Sequence, residues 1–181
     1  MRVFLMVPVS VGLLVLSACL VTVPDDDETG PTIRISAPGG AVESGDDPPG
    51  GDFVCTDRPE GPVHIMAIAS DSGGMAELYL HMIEGRVVPE SVTIEPDVSD
   101  ISWEITTGDT PLSEGDDELL VTLSPPSPGM ARSGVTVEFD VTAGERTTAI
   151  QSLATDASGN QSITWPFLIA HDARHTSCAD Q

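Results

Sequence analysis

The sequence predicts an all-β protein, an antiparallel β-sandwich of about eight or nine short strands. Three observations predict it. Short stretches alternate apolar and polar residues and are broken by Gly, Pro and Asp. No stretch carries an apolar period of 3.6 residues, as an amphipathic helix would. The clearest stretch, "GVTVEFDVT" at 134–142, puts Val135, Val137, Phe139 and Val141 on one face and Thr136, Glu138, Asp140 and Thr142 on the other.

The chain opens on something else. Arg2 supplies a short positive region, and "VFLMVPVSVGLLVL" is an apolar run of signal-peptide length, shorter than the roughly 20 residues of a membrane span. It ends in Leu16-Ser17-Ala18-Cys19, which resembles the lipobox of bacterial lipoproteins. That resemblance implies a cleaved signal peptide over 1–18 and a lipid on Cys19. Several acyl chains on one Cys anchor stably, so the expected partner is a membrane, reached through Cys19. The expected address is an extracytoplasmic membrane face, periplasmic or at the cell surface. Leu20 follows the Cys; in enteric-type lipoproteins an Asp there tends to retain the protein at the inner membrane.

Charge narrows the partners. The chain has seven Lys+Arg residues, all Arg, against 29 Asp+Glu, for a net charge of −22. Such a surface excludes nucleic acid, which demands positive charge. It also disfavours electrostatic binding to anionic lipid heads. Beyond Cys19, Cys55 and Cys178 remain, an even pair in an oxidising compartment. A disulfide is the expected pairing, with free thiols or a metal role as the alternatives.

Residues 19–30 read as the lipidated Cys and a flexible acidic tether, with Asp25, Asp26, Asp27 and Glu28 as a solvated run. The sandwich is expected over 31–171. "TIRIS" alternates. Residues 37–61, rich in Pro, Gly and acids, read as a long loop without strand or helix. "VHIMAIAS" is apolar on both faces, and "MAELYLHM" sets Ala76, Leu78, Leu80 and Met82 opposite Glu77, Tyr79 and His81. "SVTIE" and "ISWEIT" offer Val92, Ile94, Ile101, Trp103 and Ile105 as inward positions. "ELLVTLS", "GVTVEFDVT" and "TTAIQSLATD" follow. "SITWPFLIA" places Ile163, Trp165, Phe167 and Ile169 on one face, with an edge or bulge at Pro166. Residues 172–181 read as a C-terminal tail.

Two stretches, "ASDSGG" at 69–74 and "ATDASGN" at 154–160, echo each other. Asp71 and Asp156 can each accept N–H bonds two residues on, and the glycines supply positive φ, with Asn160 as the next best residue for it. Turn chemistry thus accounts for both stretches. Asp71 and Asp156 are also the calcium candidates, yet calcium needs six to eight oxygens. One carboxylate per loop is too few unless Glu77 or acids of 37–61 contribute.

The residues "VTAGERTTAIQSLATDASGNQSITWPFLIA" resemble the last third of bacterial immunoglobulin-like and hyalin-repeat-type surface domains. "VHIMAIASDSGGMAELYLHM" is similar to a strand pair of the same superfamily, while 84–133 resembles nothing in it. Hyalin-type repeats usually carry a Cys in the last strand; here Ser162, Ile163 and Thr164 stand there. The resemblance implies an immunoglobulin-like sandwich. It brings the loops after Asp71 and Asp156 to one end, and Cys55 and Cys178 to one end.

Other chemistry is sparse. His171, His175 and Cys178 could form a metal set in the tail. His64 and His81 stand on neighbouring strands. There is no G-x-S-x-G, no phosphate loop and no H-E-x-x-H. The expectation is a non-enzymatic structural or interaction module at the cell envelope, with no cofactor and a protein or envelope partner of unknown identity. The alternatives are a ligand- or polysaccharide-binding accessory domain and a calcium-stabilised adhesion module.

Overall fold

A computed structural model describes residues 19–38, 42–44, 52–56, 62–108, 116–143, 147–164 and 166–171. Residues 1–18 and 109–115, Trp165, and residues 172–181 with His175 and Cys178 lie outside the described residues. The strands are β1 (Leu20–Thr22), β2 (Thr32–Ser36), β3 (Val42–Ser44), β4 (Asp52–Thr56), β5 (Pro62–Ile83) and β6 (Gly85–Val87). They continue as β7 (Thr93–Glu95), β8 (Ile101–Thr107), β9 (Asp117–Leu123), β10 (Met130–Ala143), β11 (Thr148–Asp156), β12 (Gln161–Ile163) and β13 (Phe167–His171). One 3₁₀ turn, Pro89–Ser91, precedes β7.

Alternation decides which faces meet. Val135, Val137, Phe139 and Val141 of β10 are all buried, as are Leu119, Val121 and Leu123 of β9. They join Ile65, Ala67, Leu78, Leu80, Met82 and Ile150 in one apolar cluster. Each large side chain so buried contributes roughly 1.5–3 kcal/mol.

The 22-residue β5 belongs to both layers. Its first half pairs with β10 on one edge and β2 on the other. Its second half pairs with β9 and β11. Between the halves the register against β10 shifts, with Ser70 opposite Gly134 and Met75 opposite Arg132. The buried face changes phase there, from Ile65, Ala67 and Ala69 to Leu78, Leu80 and Met82. The extra bulge residues keep the apolar face on the core while the strand changes layer. The sequence suggested two strands with a loop between. The chain stays in the sheet because Gly73 and Gly74 are buried in tight quarters: a Cβ at position 74 would stand 2.3 Å from the Ala131 Cβ, and Gly74 sits at φ 101°.

Four other expectations are corrected. The 37–61 stretch contains β3 and β4; β4 runs parallel to β13, with Leu168 opposite Phe53 and Ala170 opposite Cys55. Its partner lies more than a hundred residues away in sequence, so local Gly and Pro content hid it. Cys178 lies outside the described residues, and its pairing with Cys55 with it. The tether is not free: β1 pairs with β10, Leu20 opposite Arg132.

Trp103 is 43% exposed rather than inward. Its opposite residue, Val121, is fully buried, but β8 pairs only with β9 among the described residues and the core does not extend over the indole. Ile163 is 77% exposed because it stands opposite Leu153, on the outer face of β11. Phe167 stands opposite Ile150, on the inner face. Between them the register slips by one residue at the break that holds Pro166, where the sequence placed a bulge.

Candidate functional site

The β5 bulge and the turn after β11 meet at one end of the molecule. Met75 lies opposite Asp156, and the Ala157 N–H donates to the Gly74 carbonyl at 2.8 Å. Asp71 and Asp156 thus come together as the sequence echo suggested.

Each builds the turn expected of it. Asp71 Oδ1 accepts the Gly73 N–H at 2.6 Å. Asp156 is 1% exposed; its Oδ1 accepts the N–H groups of Ser158 at 2.9 Å and Asn160 at 2.8 Å. Gly159 takes φ 92°. Asn160 does not share that conformation, since Glu84 is the positive-φ residue other than Gly among the described residues. Its side chain works instead. Nδ2 donates to Asp156 Oδ2 at 2.8 Å and to the Asp27 carbonyl at 2.9 Å, clipping the N-terminal segment to the turn.

That segment brings a third carboxylate. Asp27 Oδ1 accepts from the Thr29 hydroxyl at 2.7 Å and the Thr29 N–H at 3.0 Å. Its Oδ2 exposes less than 1 Å² and has no hydrogen-bond partner among the described residues. One ligand atom each from Asp27, Asp71 and Asp156 lie within 4.8 Å of one another. None of the three forms an ion pair among the described residues. Burial pushes the Asp71 carboxyl above its ordinary value, opposed by the Gly73 N–H and reinforced by the charges of Asp27 and Asp156. The Thr29 bonds hold Asp27 below its ordinary value.

The sequence named Asp71 and Asp156 and missed Asp27. Among the described residues the added ligand comes not from Glu77 but from the acidic run expected to be a solvated tether. The legible signal was Asp27-x-Thr29, which gives that one acid a local turn of its own.

Other candidates stay apart. His64 Nδ1 lies 2.9 Å from Asp140 Oδ1, and Nε2 3.6 Å from Glu138, on an open surface. His81 Nε2 lies 3.4 Å from Asp116. At the edge of the sandwich, β7 and β8 flank an open depression of about 410 Å³ lined by Ile94, Val98, Ile101 and Trp103 together with the acids Glu95 and Asp97.

No protein-family model matches this sequence, and no curated protein does. Solved structures of similar shape include an uncharacterized protein from Nocardia farcinica with an immunoglobulin-like fold. It is 14% identical over 72% of this chain and 81% of that one, at a TM-score of 0.38. A chain described as BspA_C_mut is 10% identical over 80% of this chain and 53% of its own, at 0.43. A cohesin module from a Clostridium perfringens family 33 glycoside hydrolase is 9% identical over 78% and 96%, at 0.34. Likenesses of this degree decide nothing beyond the all-β sandwich already visible in the strands.

Proposed function

We propose that this chain is a membrane-anchored extracytoplasmic lipoprotein whose immunoglobulin-like sandwich is a non-catalytic interaction or structural module of the cell envelope. The observation that carries the reading is Cys19. It follows a charged, apolar and small-residue stretch, and its side chain is exposed. Its carbonyl accepts the Ser133 N–H at 2.9 Å, and β1 follows at once. A lipid on that sulfur would hold the sandwich close to the bilayer. A Cys55–Cys178 disulfide belongs to the same reading and would close a loop of over a hundred residues, worth about 4–5 kcal/mol in the chain-entropy model.

The test is expression of the full chain in a bacterium fed labelled palmitate. Label and membrane fractionation that disappear together in Cys19→Ala support the anchor. An unlabelled wild-type chain overturns it.

A second reading, ligand or polysaccharide binding, is favoured by Trp103. A half-exposed indole beside an open depression of mixed apolar and acidic lining is the kind of surface that stacks on a sugar face while carboxylates accept its hydroxyls. Quenching or a blue shift of tryptophan emission on oligosaccharide titration, absent in Trp103→Ala, would select it.

A further inference from the structure

We propose that Asp27, Asp71 and Asp156 form a calcium site that fastens the N-terminal segment to the end of the sandwich. The proposal is independent of whether Cys19 carries a lipid.

Three chain segments supply the carboxylates: the stretch after β1, the β5 bulge and the turn after β11. What separates the site from a patch of surface acids is Asp27 Oδ2. This oxygen, on a half-buried side chain, exposes less than 1 Å², has no hydrogen-bond partner among the described residues, and belongs to one of the three carboxylates whose ligand atoms converge. A buried carboxylate oxygen left unpaired is costly; a proton shared with Asp71 removes the cost at low pH, and a cation removes it once both carboxyls are ionised. Asp156 adds a carboxylate that is almost fully buried, oriented by three donors from its own turn.

The chain also makes room for this arrangement. A Cβ at position 73 would stand 2.0 Å from Asp27 Oδ2, so Asp27 reaches its place only past a glycine. Gly73 therefore both accepts the turn geometry and opens the cradle.

The ligand chemistry selects the ion. All three donors are hard carboxylate oxygens with no imidazole or thiolate among them, which suit calcium, magnesium or manganese better than zinc or copper. Calcium–oxygen distances of about 2.3–2.6 Å let oxygens on opposite sides of one ion lie about 4.6–5.2 Å apart, which covers the 4.8 Å limit seen here. Calcium accepts an irregular set completed by water, whereas magnesium demands near-ideal octahedral geometry at about 2.0–2.1 Å. Neutralising three converged negative charges would hold Asp27, and with it the chain between β1 and β2, against both loops.

The test uses the full chain purified in detergent and stripped of divalent ions. It is titrated calorimetrically with calcium chloride, and with magnesium chloride at matched ionic strength. The expected result is saturable binding of one calcium per chain, a raised melting temperature, and protection of the Asp25–Glu28 run from an acid-directed protease. Asp27→Asn, with an unchanged circular dichroism spectrum, is expected to weaken calcium binding by roughly tenfold or more. If that variant fails to fold, Asp71→Asn carries the same reading. Absence of saturable binding, an equal response to magnesium, or unchanged calcium affinity in a folded Asp27→Asn chain overturns the proposal.

Discussion

Arg132 grips Asp100 through two N–H donors, Nε to Oδ2 at 2.6 Å and Nη2 to Oδ1 at 2.9 Å. The fork joins β10 to the turn that leads into β8. Both side chains are mostly shielded, at 14% and 18% exposure, so the geometry is preorganised and little screened. Arg132→Met is expected to destabilise the fold by about 1–3 kcal/mol, because it leaves a shielded carboxylate without its donors. Arg132→Lys is expected to recover only part of this, since an ammonium cannot reproduce the planar fork. Chemical denaturation of the two variants beside wild type checks both.

Two carboxylates should respond to pH with opposite sign. The Arg132 bonds lower the folded-state value of Asp100 below 3.8, so its stabilisation is complete above that pH and is lost as pH falls through the lower folded value. The folded-state value of Asp71 is raised by burial, so its contribution is present below about 3.8 and is lost as pH rises through the higher folded value. In EDTA, Asp71→Asn is therefore expected to remove part of the stability loss that wild type shows on going from about pH 4 to pH 7. Saturating calcium would reverse the order and make wild type the more stable near pH 7. Melting curves across that range, with and without calcium, read the two effects separately.

Much of the sandwich was legible in the sequence because a strand states its own faces. Val135 to Val141 and Leu119 to Leu123 alternate without error, and their burial follows. Pro166 announced the slip that turns Ile163 outward. What was hidden depended on partners distant in sequence. Phe53 and Val54 form a strand only because β13 lies beside them. Trp103 has the inward parity of Ile101 and Ile105 but sits where the layers part. Asp71 and Asp156 were legible as turns, while the unpaired oxygen of Asp27 was not, because no local pattern says that residue 27 folds back onto residue 73.

That last contact separates two glycine substitutions. At Gly73 an added Cβ meets the flexible end of Asp27, whereas at Gly134 it would stand 2.8 Å from the backbone carbonyl of Ala69. A side-chain tip can swing away; a carbonyl inside a ladder cannot. Gly134→Ala is expected to cost about 1–3 kcal/mol. Gly73→Ala is expected to cost less in EDTA, yet to abolish any calcium-dependent rise in melting temperature. Thermal melts of both variants, with and without calcium, check the contrast.

Finally, the two aromatic residues Phe139 and Trp103 should differ sharply on truncation. Phe139 is fully buried at the centre of β10, so Phe139→Ala empties a large volume in the shared core and is expected to cost about 3–5 kcal/mol. Trp103 covers only part of the core edge, and Trp103→Ala is expected to cost about 1 kcal/mol or less. Equilibrium denaturation gives both values. A near-neutral Trp103→Ala would leave the indole with little structural work, and would strengthen the ligand-binding reading of the depression between β7 and β8. A cost approaching that of Phe139→Ala would mean that the indole closes the sandwich edge, and that reading would fall.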